Sequence, residues 1–135
     1  MNTLTSQRPR RETFTERELS KAGLIAFFNI AKAWKLSTEE ERRLLGEPSR
    51  STLFNWRKDS GVELSRDTLD RISYVLGIWK ALRILIPDDR QAALWVKKPN
   101  LDPFLNGKTP LDRMLLSLVD LADVRRYLDS RRGGG

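Results

Sequence analysis

The chain has 135 residues, 39% of them hydrophobic and 32% charged, which suits one compact domain or two small ones sharing a core. It contains no histidine and no cysteine, which excludes a histidine base, a thiol nucleophile, a disulfide and an ordinary zinc site from this chain. The net charge of +7 is spread as +3 over residues 1–64, +3 over 65–98 and +1 over 99–135, so it favours an anionic partner only mildly. Carboxylates fall mostly in first helical turns or beside basic residues, which argues against a paired-carboxylate active site and against an enzyme. No apolar run approaches the roughly 20 residues that span a bilayer, and nothing resembles a signal peptide. The expectation is a cytoplasmic protein with no membrane partner, no metal and no cofactor.

Residues 1–15 read as a flexible N-terminal arm. Its Arg8, Arg10 and Arg11 either fray in solvent or track the minor groove and phosphates beside a docked domain. From Glu16 to Trp34 the apolar residues recur at helical spacing, with Phe27, Phe28 and Trp34 expected in the core. Gly23 weakens that helix, which points to close packing by a neighbour.

Ser37 and Glu40 spell a capping box, and Gly46 can end the short helix in a left-handed conformation. Glu47-Pro48 breaks the chain, and Ser49 can cap a second helix through about Lys58. Leu53 and Trp56 would face inward, with Arg50, Ser51, Asn55 and Lys58 outward and Arg57 at the flank. Residues 16–64 therefore predict a helix-turn-helix module, with a plain helical hairpin bearing a solvated basic face as the alternative.

The residue types suit DNA. Arg50 can reach guanine edges or phosphates, and Asn55 can pair with adenine through two hydrogen bonds. Ser51, Arg57 and Lys58 suit phosphate oxygens, which position a protein without reading sequence. Phe54 is open between the core and a thymine-methyl contact. Glu39, Glu40 and Glu41 disfavour phosphate approach to the preceding helix, so helix 49–58 is the one expected in the groove.

Ser65 can cap a long helix that Pro87 stops. Its apolar face is broad, so it is either central to the fold or covered by another subunit. Asp88 and Gln91 resemble a capping pair for a helix through about Val96, whose Trp95 suits core or interface. Thr109 can cap a helix with Pro110 at its first position, Gly107 serving as the turn before it. Asp120 offers a cap for a closing helix carrying Leu121, Val124 and Leu128. Residues 65–132 thus form a central helix and a C-terminal helical module, followed by a flexible tail at 133–135. The predicted fold is all-α, with about seven helices and two modules sharing the long helix.

Pro103-Phe104-Leu105-Asn106-Gly107, Thr109-Pro110-Leu111-Asp112 and Val124-Arg125-Arg126-Tyr127-Leu128 resemble the C-terminal toxin-binding domain of bacterial Xre/MbcA/ParS-type antitoxins. Trp34 through Glu40, Leu44-Leu45-Gly46 and Ser49 through Lys58 resemble the Xre-like helix-turn-helix module of the same antitoxins. Glu47-Pro48 stands where small or apolar turn residues are common in such motifs. The resemblance implies an antitoxin of a type II toxin–antitoxin pair. Such a protein dimerises through its helical core, represses its own promoter by binding operator DNA, and blocks a cognate toxin, commonly a RES-domain enzyme that degrades NAD.

On that reading the end of the chain plugs the toxin's pocket. Tyr127 and Leu128 would pack at its rim, while Arg125, Arg126, Arg131 and Arg132 reach its acidic groups from a tail that follows the last helix inward. The alternative is that these arginines merely solubilise the terminus and suit the negative end of the helix. Two other functions compete: a homodimeric helix-turn-helix repressor without a toxin partner, and a scaffold that recognises no nucleic acid.

Overall fold

The computed structural model describes residues 15–59 and 61–133; the Arg8–Arg11 cluster and the last two glycines lie outside them. Among the described residues the fold is all-α. The helices are α1 (Glu16–Ala33), α2 (Thr38–Leu44), α3 (Arg50–Lys58), α4 (Arg66–Leu85), α5 (Asp89–Val96), α6 (Pro110–Met114) and α7 (Leu118–Arg132).

Most of these helices start where a side-chain oxygen meets an orphan backbone N–H. Thr15 and Glu18 form a reciprocal capping box on α1, as do Ser37 and Glu40 on α2 and Thr109 and Asp112 on α6. Ser49, Ser65 and Asp88 each accept from the backbone N–H three residues on, opening α3, α4 and α5. The last helix departs from expectation. Its cap is Ser117, three residues before Asp120, and it takes the Asp120 N–H at 3.1 Å. Asp120 sits inside the first turn, where its carboxylate accepts from Ser117 Oγ and from Arg113 Nε, both at 2.7 Å. In that first turn the carboxylate suits the positive end of the dipole, held by the cap Ser117 and by Arg113 of α6, and the smaller serine closes the end.

Helix α4 is the centre of the molecule. It packs against α1 on one side and α7 on another. Ile72, Val75, Ile78, Ala81 and Leu82 are buried along it. This answers the breadth of its apolar face: two neighbours in the same chain cover most of it. Close approach is made possible by two glycines. A Cβ on Gly23 of α1 would stand 3.3 Å from Ile72 Cγ2, and the Arg125 side chain of α7 lies directly over Gly77. Ile84 and Leu85, at the far end of α4, stay exposed.

Two polar contacts join the N-terminal helices to the C-terminal module. Arg43 Nη2 donates to the Leu115 carbonyl at 3.2 Å, and Lys97 Nζ to the Lys35 carbonyl at 2.5 Å. The segment between α5 and α6 is a closed loop. Asn100 N–H donates to Lys108 O at 3.1 Å and Gly107 N–H to Asn100 O at 2.8 Å. Asn106 and Gly107 close it with φ of 52° and 81°, the left-handed region that the sequence assigned to Gly107.

Candidate functional site

Helices α2 and α3 form a helix-turn-helix whose turn is built by Gly46, Glu47 and Pro48. Gly46 and Glu47 both have positive φ, 95° and 64°. The φ at the first favours glycine, and space there is also tight: a Cβ would stand 3.1 Å from the Asp67 carboxylate of α4. The strained Glu47 is held from both sides. Its N–H donates to Arg42 O at 2.7 Å, and Arg42 Nε donates to Pro48 O at 2.7 Å. The unusual Glu-Pro pair therefore closes a defined turn.

Leu53 of α3 is fully buried, and Trp56 packs at the edge of the core. The opposite face carries Ser51, Phe54, Asn55 and Lys58, four exposed residues at the i, i+3, i+4, i+7 spacing of one helix face. Arg50 is exposed at the helix start, and among the described residues neither Arg50 nor Lys58 enters an ion pair.

Arg57 stands differently from its expected place among the phosphate contacts. One turn from Leu53, it leans inward. Its guanidinium pairs with Glu41 of α2 and lies 4.6 Å from the centre of the Phe28 ring. Glu41 is only 6% exposed, so Arg57 neutralises a carboxylate that would otherwise be buried alone. Arg57 thereby ties α3 to α2 and α1.

The expected toxin-binding residues divide in the same way. Helix α7 runs on through Arg132. Leu128, expected at a pocket rim, is buried in the core with Leu121 and Val124, because the three recur on one face of α7. Tyr127 is half-buried. Its ring stacks on Phe104 with centroids 4.7 Å apart and 5° between planes, and its hydroxyl donates to Asp102 at 2.8 Å. Arg131 donates to the same Asp102 oxygen at 2.8 Å and lies over the Tyr127 ring. Arg113 lies 4.3 Å from the Phe104 ring centre and donates to the Phe104 carbonyl at 2.8 Å. Two stacked rings with a guanidinium at each thus fasten the 100–108 loop to the end of α7.

Asp102 anchors this cluster. The Phe104 N–H first and then the Tyr127 hydroxyl hold its carboxyl below its ordinary pKa against the opposing effect of burial, with a lesser contribution from the charge of Arg131. Burial, followed by the hydrogen bond to Asp102, pushes the Tyr127 phenol up. Asp120 is likewise held low, by Ser117 Oγ and then Arg113. Of the remaining arginines of α7, Arg125 lies across α4 over Gly77, and Arg126 is the most exposed. Arg125 reaches Asp129 at 3.4 Å, Arg132 reaches the same residue at 3.5 Å, and Arg126 pairs with Asp123 while remaining 73% exposed.

Asp102 and Arg113 were absent from the expected site. A local signal existed for Asp102: Asn100 and Asp102 each accept from the N–H two residues on, the turn habit of Asx side chains. Arg113 had none, because its partners Phe104, Asp120 and Asp123 meet it only through the fold.

The same two regions of the chain match known protein families. Residues 3–77 fit the model of the antitoxin Xre-like helix-turn-helix domain. Residues 81–134 fit the antitoxin Xre/MbcA/ParS C-terminal toxin-binding domain. The uncharacterized protein y4oB of Sinorhizobium fredii is 48% identical over 114 residues, covering 84% of this chain and 86% of its own length. The two matched ranges follow each other in order and meet inside α4, and on that footing the chain belongs to the Xre-type antitoxins, joining a DNA-binding helix-turn-helix to a toxin-binding domain.

Proposed function

We propose that this antitoxin represses its own operon as a homodimer through α3 and silences a RES-domain, NAD-degrading toxin by covering the entrance to its pocket. The observation that carries the DNA half is the outward face of α3. Arg50, Ser51, Asn55 and Lys58 are exposed there, and the two cations are left unpaired among the described residues. Arg50 and Asn55 read bases, while Ser51 and Lys58 meet phosphates. Arg57 serves by fixing the angle at which α3 leaves the domain.

The toxin half rests on the matched C-terminal domain and on the rigidity of its end. Arg125, Arg126 and Arg132 present charge from an ordered helix, and Tyr127 and Arg131 brace the 100–108 loop beside it. Leu128 acts from within the core. Steric cover asks no chemistry of this chain, only a surface that fits. Exposed Ile84 and Leu85 at the end of α4 are where a second copy would gain apolar contact. A cytoplasmic location belongs to the same proposal. Among the described residues no helix is long and apolar enough to cross a membrane.

Co-expression with the product of the neighbouring reading frame tests this. Growth arrest by the toxin alone, rescue by the full chain, copurification of the two and preserved cellular NAD are expected. An undiminished loss of NAD in the presence of excess folded antitoxin would overturn the toxin assignment.

A further inference from the structure

We propose that Phe54 is a sequence-reading residue of α3, its ring packing on the C5-methyl group of a thymine in the major groove of the operator. The inference rests on the reading of α3 as the groove-entering helix. Phe54 is 50% exposed on the face it shares with Ser51, Asn55 and Lys58. The other described aromatics of the N-terminal module are accounted for within the chain. Phe27 and Trp34 are buried, Phe28 lies under Arg57, and Trp56 packs against the core. Among the described residues Phe54 joins neither an aromatic pair nor that core.

A phenyl ring has no donor or acceptor, so it cannot meet a phosphate or the polar edge of a base by hydrogen bonding. The one apolar group that base pairs present in the major groove is the thymine methyl. Charge favours DNA over a protein at this face. Arg50 lies one turn before Phe54 and Lys58 one turn after it, and any partner seated on the ring must also cover both cations. A polyanion does so favourably, whereas an apolar protein surface would strip them of water.

The test uses the full chain and duplexes that it selects from a random-sequence pool. Each thymine of the selected site is replaced in turn by deoxyuridine, which removes only the methyl group, and affinity is measured at fixed salt. One position is expected to weaken wild-type binding about fourfold, the factor that corresponds to one buried methyl group. Phe54→Ala should lose a similar factor on the unmodified duplex and be indifferent to uracil at that position. Phe54→Leu should keep part of the discrimination. Because Phe54 is exposed, both variants should melt with the wild type.

The proposal is overturned if wild type and Phe54→Ala respond alike to uracil at every position. It is also overturned if Phe54→Ala binds DNA normally but loses toxin binding or changes its sedimentation, which would assign the ring to a protein contact. Failure of the wild type to enrich any sequence would bring down the DNA reading of α3 itself, and this inference with it.

Discussion

The outward face of α3 and the end of α7 both carry arginine, polar and aromatic side chains, yet they use them in opposite ways. On α3 the chemistry is left free: Arg50, Asn55 and Lys58 point outward, and only Arg57 is spent on the fold. On α7 nearly every charged group already has a partner in the chain, from Arg131 with Asp102 to Arg126 with Asp123. A surface that must take up a uniform polyanion gains from loose cations, since each phosphate contact releases counterions. A surface that must fit one protein gains from groups already held in place, because less ordering entropy is lost on binding.

The sharpest break in that comparison is a substitution inside α7. Leu128→Ala should destabilise the chain by about 2–5 kcal/mol, as burial of a whole side chain dictates, whereas exposed Leu116→Ala should change it by under about 0.5 kcal/mol. Urea unfolding followed by circular dichroism separates them, and equal midpoints would remove Leu128 from the core. Any toxin escape with Leu128→Ala must therefore be read only on folded protein.

On α3, Arg57→Ala should cost about 1–2 kcal/mol of stability, discounted because the guanidinium is partly exposed. Adding Glu41→Gln to it should recover part of the loss, since no carboxylate is then stranded. Lack of coupling between the two sites would return Arg57 to the phosphate contacts. Asn55→Ala should leave stability alone, weaken the selected operator by about 1–3 kcal/mol and relax preference at one base pair. Lys58→Ala should weaken all sequences alike and lower the salt slope by about one. A base-specific loss from Lys58 would reverse that assignment.

The smallest effect concerns Asp102. Its folded pKa is depressed, so its contribution is present above the ordinary carboxylate pKa and is lost as pH falls through the folded value. Asp102→Asn should therefore lose a small part of the stability at neutral pH, where the carboxylate contributes in full, and flatten the acid limb below about pH 4, where the two proteins converge. Identical acid limbs in the two proteins would mean that the cluster around Tyr127 is not held by that carboxylate.

Much of this arrangement could be read in the sequence, because caps and turns are local. Ser37 with Glu40, Ser49, Ser65, Asp88 and Thr109-Pro110 each satisfy backbone groups within three residues, and their helices start where the sequence placed them. Ser117 was hidden by Asp120, since both can cap and only the Arg113 contact shows why the aspartate is used inside the helix. Leu128 was legible: its spacing from Leu121 and Val124 marks it as core, and assigning it to a partner overrode that signal. Arg57 was half legible. Its position one turn from Leu53 places it inward, but Glu41 and Phe28 become its neighbours only when three helices meet. The stack of Phe104 on Tyr127 joins residues 23 positions apart and leaves no local trace.

Helix α4 has a consequence for how such antitoxins diversify. Both matched domains end on it, with Ile72 seated against Gly23 of the first and Gly77 lying under Arg125 of the second. A recombination that exchanges one half of the gene for a relative's brings a foreign partner onto one side of this helix. A side chain at Gly23 would press on Ile72, and one at Gly77 would displace the Arg125 side chain, so a new half must suit both contacts. The lineage is therefore free to trade operators and toxins independently only while the two sides of this one helix keep their shape, so drift should run fastest on the outer faces of α3 and α7 and slowest along Ile72–Leu82.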